Sequence, residues 1–154
     1  MTSDEIKARK EALIAQMSAS PEALESLTRD VIKRASQTEG RLLELQAQFL
    51  VAAKGGADTQ AMFQDICSLN TDVKKTHAEL QLFLEAGKEM LERCLGGEFP
   101  VFSDNNTNMN VLSWRVEDME RKRLFADAAV EACHELGHAW YKLNGKSPRT
   151  PGIG

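Results

Sequence analysis

The sequence of 154 residues is poor in proline and in aromatic residues, with 4 Pro and 6% Phe, Trp and Tyr. Proline interrupts helices, so its scarcity permits long helical segments. No segment alternates apolar and polar residues with period two, so no strand is predicted. The frequent residues Ala, Leu, Glu, Gln and Lys favour helix instead. The composition therefore predicts an all-α protein.

The chain also lacks an excess of positive charge, since 19 basic residues face 23 acidic ones. The basic stripe of a nucleic-acid-binding protein is missing. No apolar run approaches the ~18 residues of a membrane span, and the charged N-terminus has no signal-peptide pattern. The three cysteines are far apart and form no C-x-x-C pair, which suits a reducing compartment. We expect a cytoplasmic protein that binds neither nucleic acid nor membrane and needs no cofactor.

Capping residues and glycine pairs divide the sequence into one short and three long helices. Gly55-Gly56 and Gly96-Gly97 end the second and third helices, because glycine adopts the left-handed conformation that closes a helix. Apolar residues at steps of three and four give each long helix a seam like that of a coiled coil. Whether the second helix breaks near Ser36–Gly40 is left open. The predicted helices span about residues 2–17, 21–54, 59–95 and 111–143.

Short glycine turns make neighbouring helices antiparallel. The predicted fold is an elongated antiparallel up-down bundle of three long helices plus a short N-terminal helix. Residues 1–145 are expected to form a single domain, and residues 146–154 have the composition of a flexible tail. The connection before the last helix holds Phe99, Val101 and Phe102. These residues are interpreted either as an apolar plug at the end of the bundle or as a partner-binding site.

The stretch CHELGHAW, residues 133–140, contains His134, Glu135 and His138 in the spacing H-E-x-x-H. Residues i and i+4 share a helix face, so two imidazoles can hold one zinc ion while the Glu acts as a base. HELGH resembles the active helix of the zincin metallopeptidases over these five residues. The resemblance implies zinc ligands at His134 and His138 and a catalytic base at Glu135.

The surroundings of HELGH depart from that family. A catalytic zinc site uses three protein ligands, but the position six residues after His138 is Asn144 and no acidic residue follows His138. On a helical wheel the motif also points away from the apolar seam through Cys133. If the third and fourth helices are antiparallel, Asp72 or Asp65 could complete the site.

Two functions follow from these observations. The first is a non-enzymatic helical interaction module, a subunit or adaptor that binds another protein or itself through helix seams. It rests on the share of the chain given to such seams, with no nucleophile–base pair or phosphate loop beside them. The alternative is a zinc-dependent hydrolase, with Glu135 as base and His134, His138 and Asp72 as ligands.

Overall fold

The computed structural model describes residues 2–56 and 58–145. Three of its helices are long and pack against each other, and the described residues contain no strand. This confirms the predicted all-α bundle of three long helices with a short N-terminal one. The predicted tail, residues 146–154, lies outside the described residues. In chain order the helices are α1 (Ser3–Met17), α2 (Pro21–Lys54), α3 (Met62–Leu95), α4 (Pro100–Ser103) and α5 (Asn106–Asn144).

Side-chain caps fix the starts of the first two helices. The Thr2 hydroxyl accepts a hydrogen bond from the Glu5 amide at 3.2 Å. The Ser20 hydroxyl accepts one from the Ala23 amide at 3.0 Å. Each hydroxyl satisfies one of the backbone amides that a helix start leaves without a partner. α2 then continues without a break as far as Lys54, so the stretch near Ser36–Gly40 is regular helix.

The start of α3 differs from the prediction, because the helix begins at Met62 and not at residue 59. The Asp58 carboxylate accepts a hydrogen bond from the Gln60 amide at 2.9 Å, only two residues along the chain. A side chain bonded to its own neighbouring backbone stabilises a turn in place of a helix. Asp58 therefore closes a turn before α3.

The connection before the last helix is also shorter than predicted, because α5 begins at Asn106 and not at residue 111. The Asn105 side-chain oxygen accepts a hydrogen bond from the Asn108 amide at 3.1 Å. Asn is a favoured helix N-cap, so the asparagine-rich run is a helix start that was predicted as loop. The short α4 precedes it, entered through Phe99 in the left-handed conformation at φ 56°.

The chain divides into two compact units, Met1–Lys33 with Ala78–Leu124 and Arg34–His77 with Phe125–Gly154. In the first unit, Gly87 of α3 lies against α5. A Cβ at Gly87 would come within 3.0 Å of Val116 Cγ2 and 3.2 Å of Met119 Cε, so glycine permits a close helix approach there. Large core side chains of this unit include Ile14, Met17, Leu24, Leu80, Leu84, Met90, Phe102 and Leu112.

The second unit has its own continuous core, in which α2, α3 and α5 meet. Phe63 and Trp140 contact each other with ring centroids 4.7 Å apart and planes tilted by 38°, and the Trp140 indole donates a hydrogen bond to the Thr59 carbonyl at 2.8 Å. The Asn144 amide group in turn donates to the Trp140 carbonyl at 2.9 Å. This unit's buried residues are Leu42, Leu45, Phe49, Ile66, Leu69, Val73, Ala129, Cys133, Leu136, Trp140 and Tyr141.

The long helices are amphipathic and carry charged residues along their outer faces. Among the described residues, no helix combines the length and the apolar character that crossing a membrane requires.

Candidate functional site

The HELGH residues lie on the part of α5 that belongs to the second unit. Glu135 and His138 are exposed, and His134 is half-buried. The two imidazole rings contact each other, with centroids 5.1 Å apart and planes at 71°. Cys133 and Trp140, from the same stretch, are each only 1% exposed. α5 therefore turns its apolar residues into the core and its two histidines toward the margin and the solvent.

Asp72 and Asp65 lie on the side of α3 that faces α2. Arg41 of α2 binds the Asp72 carboxylate with an N–O distance of 2.8 Å, and Asp65 lines a groove shared with Arg41 and Glu44. In residues 2–56 and 58–145, no group of three or more His, Cys, Asp or Glu side chains is placed to hold a metal ion. The structure brings His134 and His138 together but does not bring Asp72 to them.

His77, the remaining histidine, has a carboxylate partner. Its Nε2 lies within hydrogen-bonding distance of Asp127 Oδ1, which links α3 to α5 inside the second unit. The His77 side chain is 30% exposed and that of Asp127 47%. This pair is a polar contact at the edge of the core, and the His77 imidazole is already hydrogen-bonded to Asp127.

The apolar residues of the connection before α5 differ in how deeply they are buried. Phe102 is fully buried, Phe99 is half-buried and Val101 is 49% exposed. Phe102 thus packs into the core of the first unit, and of the three predicted partner-binding residues Val101 is the most exposed to solvent. Asn108 holds this segment in place, because its amide group donates to the Val101 carbonyl at 2.8 Å.

The three thiols lie in apolar surroundings. Cys94 and Cys133 are buried and Cys67 is half-buried. Burial raises the pKa of each of these thiols, because a thiolate loses hydration in an apolar environment. A thiol held protonated is a poor nucleophile and a poor metal ligand. The cysteines therefore act as small core residues.

α2 carries a second apolar face that sequence analysis missed. Leu43 is 67% exposed, Leu50 is 56% exposed, and Val51 beside them is 73% exposed. Leu43 and Leu50 lie about 110–130° around the helix from the buried face of α2, and Val51 lies about 150° from it. Leu43 and Leu50 belong to a row of six exposed residues at steps of four and three, and Val51 flanks this row. We name the row the outer seam: Ser36, Gly40, Leu43, Ala47, Leu50 and Lys54.

The fold of a single chain gives little reason for a glycine at position 40 of the outer seam. Gly40 lies in the interior of α2, where a glycine costs about 0.5–1 kcal/mol relative to alanine. A Cβ placed on Gly40 would meet no atom within 4 Å. Within the described part of the chain, no close approach therefore requires a glycine at that position.

A signal for the outer seam is present in the sequence. Leu43 and Leu50 are seven residues apart with Ala47 between them, which is coiled-coil spacing. The signal is hidden because the buried face of the same helix, with Leu42 and Phe49, repeats at the same period.

Comparisons with known proteins do not point to a relative. No protein-family model matches the chain, and searches of curated proteins and of solved structures also give no match.

Proposed function

We propose that this protein is a non-enzymatic helical interaction module that associates through the outer seam of α2. The observation that supports the proposal is a helix with two apolar faces, of which only one is buried in the core of the second unit. An apolar stripe at heptad spacing is typical of a surface that binds another helix. Single exposed apolar residues, by contrast, are common on any protein surface.

In residues 2–56 and 58–145, the exposed apolar residues outside α2 do not form a comparable stripe. Leu95 and Leu143 lie at or next to the last residue of their helices. Leu124 and Phe125 are sequence neighbours and so point about 100° apart on α5. The outer seam is distinguished by having its leucines on one face with small residues between them.

The sizes of the seam residues favour a second copy of this chain as the partner. In an antiparallel pair related by a two-fold axis near residue 45, Leu43 faces Ala47 of the other copy. In the same register Leu50 faces Gly40 of the other copy. Each leucine thus meets a small residue, which is how large and small side chains interdigitate between packed helices. A two-fold pair of this kind uses the same surface on both copies.

The energy available to this pairing is modest. Fully burying a leucine or valine side chain contributes about 1.5–3 kcal/mol. Leu43 and Leu50 are exposed by 67% and 56%, and Val51, which flanks the seam, by 73%, so two copies together gain at most about 6–12 kcal/mol. Association costs about 4–15 kcal/mol in lost translational and rotational freedom. The most favourable balance is about 8 kcal/mol, so we expect a reversible complex no tighter than micromolar and no permanent dimer.

Sedimentation velocity from about 1 µM to 1 mM protein tests the proposal, a range chosen to bracket this strength. Wild type should shift from monomer to dimer as concentration rises, and Leu43→Lys should weaken the dimer because a lysine loses hydration opposite Ala47. The matched control is Leu95→Lys, which changes a leucine outside the seam that is 79% exposed, against 67% for Leu43. Circular dichroism should show all variants equally helical, since exposed substitutions shift stability by less than ~0.5 kcal/mol.

Mixing two single variants tests the antiparallel register. Leu43→Lys and Ala47→Glu should each associate poorly alone. Mixed, they place a lysine opposite a glutamate and should associate more tightly than either variant by itself. A wild type that stays monomeric to 1 mM, or a Leu95→Lys variant that weakens association as much as Leu43→Lys does, would contradict self-association through the seam. If the mixture shows no recovery, the antiparallel register is wrong.

A further inference from the structure

His134 and His138 differ from His77 in what their rings contact. His77 is bound to Asp127, whereas the only partner of each HELGH ring among the described residues is the other ring. Imidazole nitrogens are strong hydrogen-bonding and metal-binding groups. The nitrogens of these two rings are therefore available to a ligand from solvent.

The spacing of the two rings suits a shared ion. A Zn–N bond of about 2.1 Å puts the ring centre about 3.2 Å from the ion, and a tetrahedral angle then separates two such centres by about 5.2 Å. The observed separation of the centroids is 5.1 Å. Residues four apart on a helix lie on one face, and α5 is continuous from Asn106 to Asn144, so the helix holds the pair at this distance.

Burial adds a positional constraint to one of the two rings. His134 is half-buried, which limits its rotamers, and His138 is exposed and can close onto an ion arriving from solvent. Binding then needs little rearrangement of the first ring, and a preorganised ligand loses less entropy on binding.

We propose that His134 and His138 form a two-imidazole clamp for a divalent ion of the zinc, nickel and copper class. Imidazole nitrogen suits these ions, whereas calcium and magnesium prefer oxygen ligands. With two protein ligands, the remaining coordination positions of the ion are filled by water. The clamp differs from a hydrolase centre, because it uses neither Asp72 nor Glu135. It is also independent of the outer seam of α2.

Equilibrium dialysis against Zn²⁺ alone tests the clamp, on full-length protein from which any purification tag has been removed. Wild type should bind one equivalent. His134→Ala and His138→Ala should each bind at least about tenfold more weakly, because the second imidazole no longer acts as an intramolecular ligand. Glu135→Gln should bind like wild type. A hundredfold excess of Mg²⁺ should leave zinc bound.

A spacing variant supplies the matched control. His138→Ala combined with Ala139→His keeps three histidines in the chain but places the second ring five residues from His134, about 140° around the helix. This variant should bind zinc no better than His138→Ala. Nuclear magnetic resonance should show the ring signals of His134 and His138 shifting together as zinc is added, while the ring signals of His77 stay unchanged.

The clamp is wrong if wild type binds no more zinc than the spacing variant does, because the two rings then act independently. It is also wrong if His77→Ala removes the bound zinc while His138→Ala leaves it in place.

Discussion

Replacing glycine by alanine at two helix-interior positions should have opposite effects on stability. Gly40 of α2 and Gly87 of α3 both lie inside 34-residue helices. At Gly40 a Cβ meets nothing within 4 Å, so Gly40→Ala should gain the full helix preference of alanine, about 0.5–1 kcal/mol. For a domain of this size, that gain should raise Tm by about 1–4 °C.

At Gly87 the same methyl group meets Val116 Cγ2 at 3.0 Å and Met119 Cε at 3.2 Å. The methionine end can move, but valine is branched at Cβ and has little rotamer freedom on a helix. Extra methylenes in a close contact cost about 1–3 kcal/mol. Gly87→Ala should therefore be less stable than Gly40→Ala by about that amount.

Urea unfolding followed by circular dichroism at about 1 µM protein measures both changes, at a concentration where the weak seam pairing contributes least. The reasoning fails if Gly40→Ala is less stable than wild type, because its Cβ would then not be in open space. It also fails if the two variants are equally stable, because the contact at Gly87 would then not resist a methyl group.

Three further predictions concern the second unit. Trp140→Phe should cost about 0.5–1.5 kcal/mol in unfolding free energy, because the buried Thr59 carbonyl loses the indole donor and keeps only the Met62 amide at 3.1 Å. Trp114→Phe at a 54% exposed site should cost less than ~0.5 kcal/mol in the same urea titration. Burial raises the pKa of the Cys133 thiol, so the unfolded chain releases its thiol proton first and stability should fall as pH rises above about 8.5; equal unfolding midpoints at pH 7 and pH 9.5 would contradict this. Asp72→Ala should leave zinc affinity unchanged in dialysis, because Asp72 binds Arg41 and not the HELGH pair; a tenfold loss would restore Asp72 as a ligand.

The fold could be read from the sequence to the extent that local signals decide it. The bounds of α2, Pro21 to Lys54, follow from a proline at the helix start and a glycine pair after its end. The starts of α3 and α5 were misplaced because Asp58 and Asn105 are residues that cap helices and turns equally well. Which of the two they do depends on hydrogen bonds that the sequence does not display.

The candidate sites were predicted less well, and for a geometric reason. Aligning the third and last helices as antiparallel neighbours by residue number puts Asp72 at about the same height as His134. The alignment does not show in which direction around its helix the Asp72 side chain points. Asp72 points toward α2, where Arg41 binds it. The outer seam was missed for the related reason that periodicity identifies an apolar face without saying which face the rest of the chain covers.

Gly40→Ala should raise helix stability but weaken association between two copies, and protein concentration decides which of these two effects is larger. As a monomer the chain gains helix stability from Gly40→Ala, since the added methyl enters open space. In the proposed pair that methyl faces Leu50 of the other copy and separates the helices. Association stabilises the folded state by mass action, so the Tm of wild type should rise with concentration more steeply than that of the variant. The two melting curves should therefore exchange order between about 1 µM and 1 mM protein. If Gly40→Ala remains the more stable protein at every concentration and its dimer is as strong as that of wild type, no close helix contact forms at Gly40.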